Sequence, residues 1–271
     1  MSETKPNNSV SEFSEEYSET KEALGFFDAN LWWDPSLKAC LRPQPDFDAF
    51  YKSLGALSVK KGILSLAECL KYDENTGNKR LKKIMAGCKN LYGAMTLTAD
   101  AFFLGRDITK TVDEMVEARA VIVRMFPRTH RYSFDKNALC ELFSHLNRRR
   151  IPLMLWHAEV SWGVVESLFA EFPDMPVIIE GNDVKLLYHN RYYIPLYQKY
   201  KNMYLETHNL IIYKELDFLV KADPDRLIFG SFYHYNAPDT AMAPIILADW
   251  DLEVKKQIAH GNLERLISGI G

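Results

Sequence analysis

The chain has 271 residues, of which 47 % are hydrophobic and 25 % charged, with a net charge of −3. That composition suits a globular domain able to bury most of its apolar surface in one core, and the charge gives no pull toward nucleic acid. No apolar run reaches the ~18 residues of a membrane span, and the N-terminus lacks the basic start and apolar stretch of a secretory signal, so the reading is a cytoplasmic protein without nucleic-acid or membrane partners.

Residues 1–21 are rich in Ser, Glu, Thr and Asn and are expected to form a disordered polar tail. Residues 22–271 read as a single domain with no linker or internal repeat. Short apolar runs alternate there with amphipathic ones, the rhythm of βα units around a parallel sheet. The expected strands are Leu24–Leu31, Gly62–Leu66, Leu91–Leu97, Ala120–Phe126, Ile151–Trp156, Val177–Glu180, Met203–Thr207 and Leu227–Gly230. Helix patterns fall at Asn78–Lys89, Thr111–Arg119, 136–150, Trp162–Glu171, Tyr193–Lys201, 213–221, 239–248 and 251–268. Eight such strands in a chain of this length predict an α/β fold, the TIM (β/α)8 barrel; no glycine-rich phosphate loop follows any of them. Cys40, Cys69, Cys88 and Cys140 include no CxxC pair and are expected to be buried free thiols.

In such a barrel the chemistry lies at the C-terminal ends of the strands. Strand 1 ends in Asp28-Ala29-Asn30-Leu31-Trp32. Strand 4 carries Arg124 and leads to Arg128 and His130. Strand 5 runs from Trp156 into His157 and Glu159. Strands 6 and 7 end at Glu180 and at Glu206-Thr207-His208, and strand 8 leads into Ser231-Phe232-Tyr233-His234.

Several of these segments resemble the amidohydrolase superfamily, in its branch of small-molecule hydrolases and decarboxylases. Phe27-Asp28-Ala29-Asn30-Leu31-Trp32 is similar to the family's opening strand, D-x-H-x-H. Asp225-Arg226-Leu227-Ile228-Phe229-Gly230-Ser231-Phe232-Tyr233 is similar to its last strand, D-R-x-x-F-G-S-D-x-P. Gly261-Asn262-Leu263-Glu264-Arg265-Leu266 is similar to its closing helix, and Asn202–Thr207 and Phe172–Ile179 to the segments before them. The resemblance implies a metal-dependent-hydrolase barrel holding one or two divalent ions on histidines of strands 1, 5 and 6 and an aspartate of strand 8. Here the strand-1 histidines correspond to Asn30 and Trp32, the strand-6 histidine to Glu180 or Gly181, and the aspartate to Phe232. His157 is offset by one position from the strand-5 histidine, where Trp156 falls. Indole and phenyl groups cannot ligate a metal, so a degenerate site without a cofactor is expected; the alternative is one zinc ion on His157 with Glu180.

The candidate catalytic groups are His157, Glu180, Glu206, His208 and His234. Asn30, Trp32, Arg124, Trp156, Glu159, Phe232 and Tyr233 are candidates for substrate binding. Each has a plainer alternative: a hydrogen-bonded core histidine at His157, loop histidines at His208 and His234, an exposed loop carboxylate at Glu159, a salt bridge of Arg124 (or Arg191) with the two glutamates, and an aromatic plug of the mouth. Two function classes follow. One is a hydrolase or lyase acting on a small molecule with little or no metal; the other is a non-catalytic descendant that binds a ligand or partner. Family members pair, so a homodimer is a further expectation of the resemblance.

Overall fold

Strands covered on both faces read as continuous apolar runs, and β6, Val177–Glu180, is buried at all four positions. The computed structural model describes residues 10–34, 46–99, 105–135, 138–181, 186–210 and 214–271. Eight parallel strands lie in the order β1-β2-β3-β4-β5-β6-β7-β8. They are β1 Phe26–Trp33, β2 Val59–Leu66, β3 Leu91–Thr96, β4 Ala120–Arg124, β5 Leu153–Trp156, β6, β7 Met203–Glu206 and β8 Leu227–Ile228. Backbone bonds from Ala29 N–H to the Phe229 carbonyl (2.9 Å) and from His234 N–H to the Trp32 carbonyl (3.3 Å) bring the last strand back to the first, giving a nearly closed TIM barrel.

Residues alternate between two apolar layers. Ile63, Ala94, Ile122, Met154, Ile178 and Ile228 fill the barrel interior together with Phe27 and Ala29. Their neighbours Leu64, Met95, Val123, Leu155, Ile179 and Leu227 pack outward under the helices.

The helices are α1 Val10–Leu24, α2 Phe47–Ala56, α3 Ala67–Lys71, α4 Glu74–Gly87, α5 Ile108–Glu117, α6 Cys140–Arg149, α7 Trp162–Glu171, α8 Asn190–Lys199, α9 Glu215–Ala222, α10 Pro238–Ile246, α11 Leu252–Lys256 and α12 Asn262–Ser268. Asp46, Asp73, Asp107 and Ser161 cap α2, α4, α5 and α7, each side chain accepting a backbone N–H three residues on.

Several boundaries differ from the sequence reading. Residues 10–21 are helical where a tail was expected: Lys21 pairs with Asp239 at 2.6 Å and Leu24 is buried, contacts that polar composition conceals. Residues 1–9 and Cys40 lie outside the described residues. Strand β2 begins three residues early, because Lys60 and Lys61 point to solvent and break the apolar run. Cys69 and Cys88 are buried, whereas Cys140 is exposed at the first turn of α6.

Two of the motifs that carry the resemblance anchor the N-terminal end of the barrel. Arg226 bonds Asp223 (2.8 Å) and the carbonyls of Tyr200 and Met203. The Asn262 amide bonds the carbonyls of Pro224 (2.7 Å) and Leu227 (2.8 Å), fastening α12 to β8.

Candidate functional site

Alternation decides what reaches the barrel axis. Two residues beyond the interior Ile122 comes Arg124; two beyond Ile178 comes Glu180. Tyr204, packed against the same layer, is followed in register by Glu206. Arg124, Glu180 and Glu206 therefore end their strands inside the mouth, where each is almost wholly buried.

They form one network. An Arg124 Nη2–H donates to Glu180 Oε1, and Nη1–H donates to Ser65 Oγ (2.8 Å) and Asn30 Oδ1 (3.3 Å). The Asn30 amide nitrogen bridges the carboxylates, donating to Glu180 Oε2 at 2.7 Å and Glu206 Oε2 at 3.2 Å, while Asn30 Oδ1 accepts the Trp32 indole N–H at 2.8 Å. Glu206 also accepts from the His208 backbone N–H (2.8 Å) and is paired with His208 Nδ1. Asp28 completes the floor, taking the Ser231 hydroxyl and the backbone N–H groups of Ser231 (3.0 Å) and Asn30 (2.8 Å). Gly230 makes room for this arrangement: a Cβ there would lie 2.2 Å from Glu206 Oε1.

Aromatic rings roof the network. The Arg124 guanidinium lies over the Trp32 ring at 4.7 Å and near Phe126 at 5.7 Å. Trp32, Phe126 and Phe232 form one buried cluster, and Phe232 is stacked between His208 (5.3 Å) and Tyr235 (4.8 Å). Phe232 holds a left-handed backbone, φ 58°, which turns its ring back over the mouth. Trp32 and Phe232 thus lie across the network in this structure.

The remaining candidates lie elsewhere. Trp156 follows Met154 on the inward register, so His157, one residue on, faces away from the axis. Its Nδ1 is 3.2 Å from the backbone carbonyl of Glu180 rather than the carboxylate, and its Nε2 is buried with no hydrogen-bond partner among the described residues. Leaving such a group unmatched costs about 1–3 kcal/mol. Glu159 braces the loop after β4, accepting from Thr129 N–H (2.9 Å) and Oγ1–H (2.6 Å), and does not orient His157. Tyr233 stacks on Phe50 at 5.6 Å, and the His234 ring lies edge-on to Phe50 at 6.5 Å, both on the helix side of the wall. Arg191 is exposed and takes no part in the axial pairing, which falls to Arg124.

Sequence reasoning missed Asp28 and Ser231 as network members, although both lay in the quoted motifs. It also missed His189 and Tyr192, which follow no strand directly. These two join Arg128, His157, Ser161, Trp162 and Gly163 around a cavity of about 570 Å³ on the β5–β6 side of the mouth.

The axial residues do not fit a divalent cation. All four oxygens of Glu180 and Glu206 accept hydrogen bonds from the chain, and a guanidinium already stands against Glu180. Trp32 and Phe232 offer no lone pair. His157 and the Glu180 carboxylate face different ways. Among the described residues, no group of three or more His, Cys, Asp or Glu side chains is disposed to hold a metal ion.

Burial pushes the Asp28 carboxyl up to about 6, against the pull of its bonds to Ser231 and Asn30. Burial pushes the His157 imidazole down to about 4. Burial also opposes charge on His208, but Glu206, with Glu180 and Asp28, holds its pKa above the usual value. The first two shifts act oppositely on stability. Asp28 binds its proton more tightly when folded, so its contribution is complete below 3.8 and is lost as the pH rises through 6. His157 binds its proton less tightly when folded, so stability is gained as the pH rises from about 4 to 6.5. Relative to the parent chain, His157→Asn is expected to lose stability between these pH values and Asp28→Asn to gain it. Urea midpoints measured across the range check both signs; parallel curves for the three proteins would contradict them.

Comparison with known proteins shows the fold. No family model and no curated protein matches the sequence. Among solved structures, amidohydrolase II superposes with a TM-score of 0.66 at 17 % identity, over 90 % of this chain and 99 % of that one. A 2,6-dihydroxybenzoate decarboxylase from Rhizobium gives 0.68 at 14 % identity, over 91 % and 99 %. A 5-carboxyvanillate decarboxylase from Novosphingobium aromaticivorans, complexed with manganese and 4-hydroxy-3-methoxy-5-nitrobenzoic acid, gives 0.72 at 11 % identity, over 91 % and 97 %. The chain has the barrel of amidohydrolases and decarboxylases; at these identities the likeness is one of fold.

Proposed function

We propose that the protein is a hydrolase or lyase of the amidohydrolase–decarboxylase barrel type that acts on a small molecule at the C-terminal mouth without an axial metal. One observation carries this reading: the titratable groups at the ends of β1, β6 and β7 converge, with Arg124, into one hydrogen-bonded cluster instead of scattering over the surface. Within it Glu206 pairs with His208 Nδ1 and raises the ring's affinity for a proton, while the Asn209 amide N–H donates to Nε2 at 2.9 Å, so the lone pair on Nε2 suits His208 to take up a proton. Arg124 and Asn30 hold the carboxylates in place. Reaching His208 requires the Phe232 ring to move, so the plugged mouth is the resting form. The ligands of the structural neighbours, hydroxylated aromatic acids, are the first substrates to try.

The second reading is a non-catalytic ligand binder; the buried plug of Trp32, Phe126 and Phe232 favours it. The two are separated by assaying aromatic acids, esters and amides with the purified chain, with and without a chelator. The enzyme reading expects turnover that survives chelation and falls at least ~100-fold in His208→Asn. Ligand binding without turnover across the panel would establish the binder. Turnover abolished by chelation would contradict the metal-free centre.

A further inference from the structure

We propose that the cavity between the ends of β5 and β6, off the barrel axis, is a binding site for a flat anion that carries its own hydrogen-bond donor. The inference deepens the small-molecule reading of the mouth and rests on it.

The cavity, about 570 Å³, lies within the range of small-molecule sites. Its deep end is His157. The Nδ1 of that ring faces the Glu180 carbonyl at 3.2 Å, and a carbonyl can only accept, so the proton sits on Nδ1. Nε2, on the far side of the ring, keeps a lone pair that no described group meets, although the residue is only 4 % exposed. A ligand O–H or N–H would satisfy it.

The walls are aromatic. His157 stacks on Trp162 at 6.2 Å, and Trp162 lies parallel to Tyr192, interplanar angle 0°, at 6.1 Å. The Trp162 indole N–H donates to His189 Nδ1 at 3.0 Å, which fixes both rings and leaves a neutral His189 its Nε2–H. His157 and His189 stand 4.8 Å apart. Such faces favour a planar body.

The rim is positive. Arg128 is exposed there, held at one Nη by the Ala158 carbonyl at 3.3 Å. Ser161, Trp162 and Gly163 are the cap and first residues of the ten-residue helix α7, whose N-terminus favours an anion. No Asp or Glu lines the cavity among the described residues. A donor placed deep with an anion at the rim matches both ends.

Indole-5-carboxylate has these parts in that order. Benzofuran-5-carboxylate lacks only the donor, and indole lacks only the charge. Calorimetry on the full chain is expected to show indole-5-carboxylate binding at least ~10-fold tighter than either. Arg128→Gln, at an exposed position that does not threaten folding, should weaken both carboxylates and leave indole unchanged. His157→Asn, with folding checked by circular dichroism, should erase the preference for indole over benzofuran. Equal binding of the three compounds, or a preference indifferent to both substitutions, would overturn the proposal. Binding with these dependences but no turnover of any substrate would uphold the site and count against the enzyme reading; His208-dependent turnover without such binding would do the reverse.

Discussion

Replacing Arg124 with methionine is expected to lower folding stability by about 3–5 kcal/mol, the cost of leaving one member of a buried ion pair without its partner. Both side chains of the Arg124–Glu180 pair are 0 % exposed, so solvent cannot compensate. The loss reaches further than Glu180, because the same guanidinium holds Ser65 and Asn30, and Asn30 in turn bridges Glu180 to Glu206. In a chain of this size the change corresponds to a fall in Tm on the order of 10 °C. Arg124→Lys keeps a charge but cannot reproduce the planar fork and should recover part of the loss. Arg124→Met with Glu180→Leu, which removes both charges, should be more stable than Arg124→Met alone, since an apolar pair of similar volume replaces an uncompensated carboxylate. Thermal and urea denaturation of the four proteins checks the series. A single variant as stable as the parent would show that the pair is dispensable.

Trp32→Ala is expected to cost a similar ~3–5 kcal/mol, through the cavity left by a large buried ring and the loss of its contacts. The indole touches Arg124, Phe126, Phe232 and Tyr235, and its N–H holds the Asn30 amide in the orientation that presents Nδ2 to both glutamates. Trp32→Phe keeps most of the volume and loses the N–H, so it should cost about 1 kcal/mol. The alanine variant also opens the mouth. Added indole should then fill the void and raise the Tm of Trp32→Ala by more than that of Trp32→Phe. Absence of that rescue, in a variant destabilised as expected, would mean that the surrounding rings collapse into the gap.

The two cases show how far the sequence could be read. The barrel was legible because strands such as Val177–Glu180 are buried on both faces and therefore uniformly apolar until their last residue. That last residue was legible too: a carboxylate or guanidinium closing an apolar run belongs either to a buried pair or to a site, and Arg124, Glu180 and Glu206 meet on the axis. The direction of His157 was not legible from strand ends alone. It depends on strand parity, and the Trp156–His157 step put two plausible residues side by side, of which only one can face inward. Tyr233 and His234 were misplaced for a related reason, since the left-handed turn at Phe232 sends the chain back to the helix layer. Asp28 went unread as a site residue because the metal histidines of the resemblance fall at Asn30 and Trp32. His189 and Tyr192 had no strand to announce them, and only folding brings α7 and α8 to one cavity. The helix at Val10–Leu24 was hidden by its polar face. The motifs that carry the family resemblance are mostly braces of the barrel floor, with only Gly230 and Ser231 reaching the mouth.

The most direct test of a centre held by side-chain charge is the metal content of the purified chain after incubation with manganese and with zinc, followed by desalting. The expected result is far less than one ion per chain, unchanged in Glu180→Gln. About one ion per chain, lost in Glu180→Gln, would contradict it.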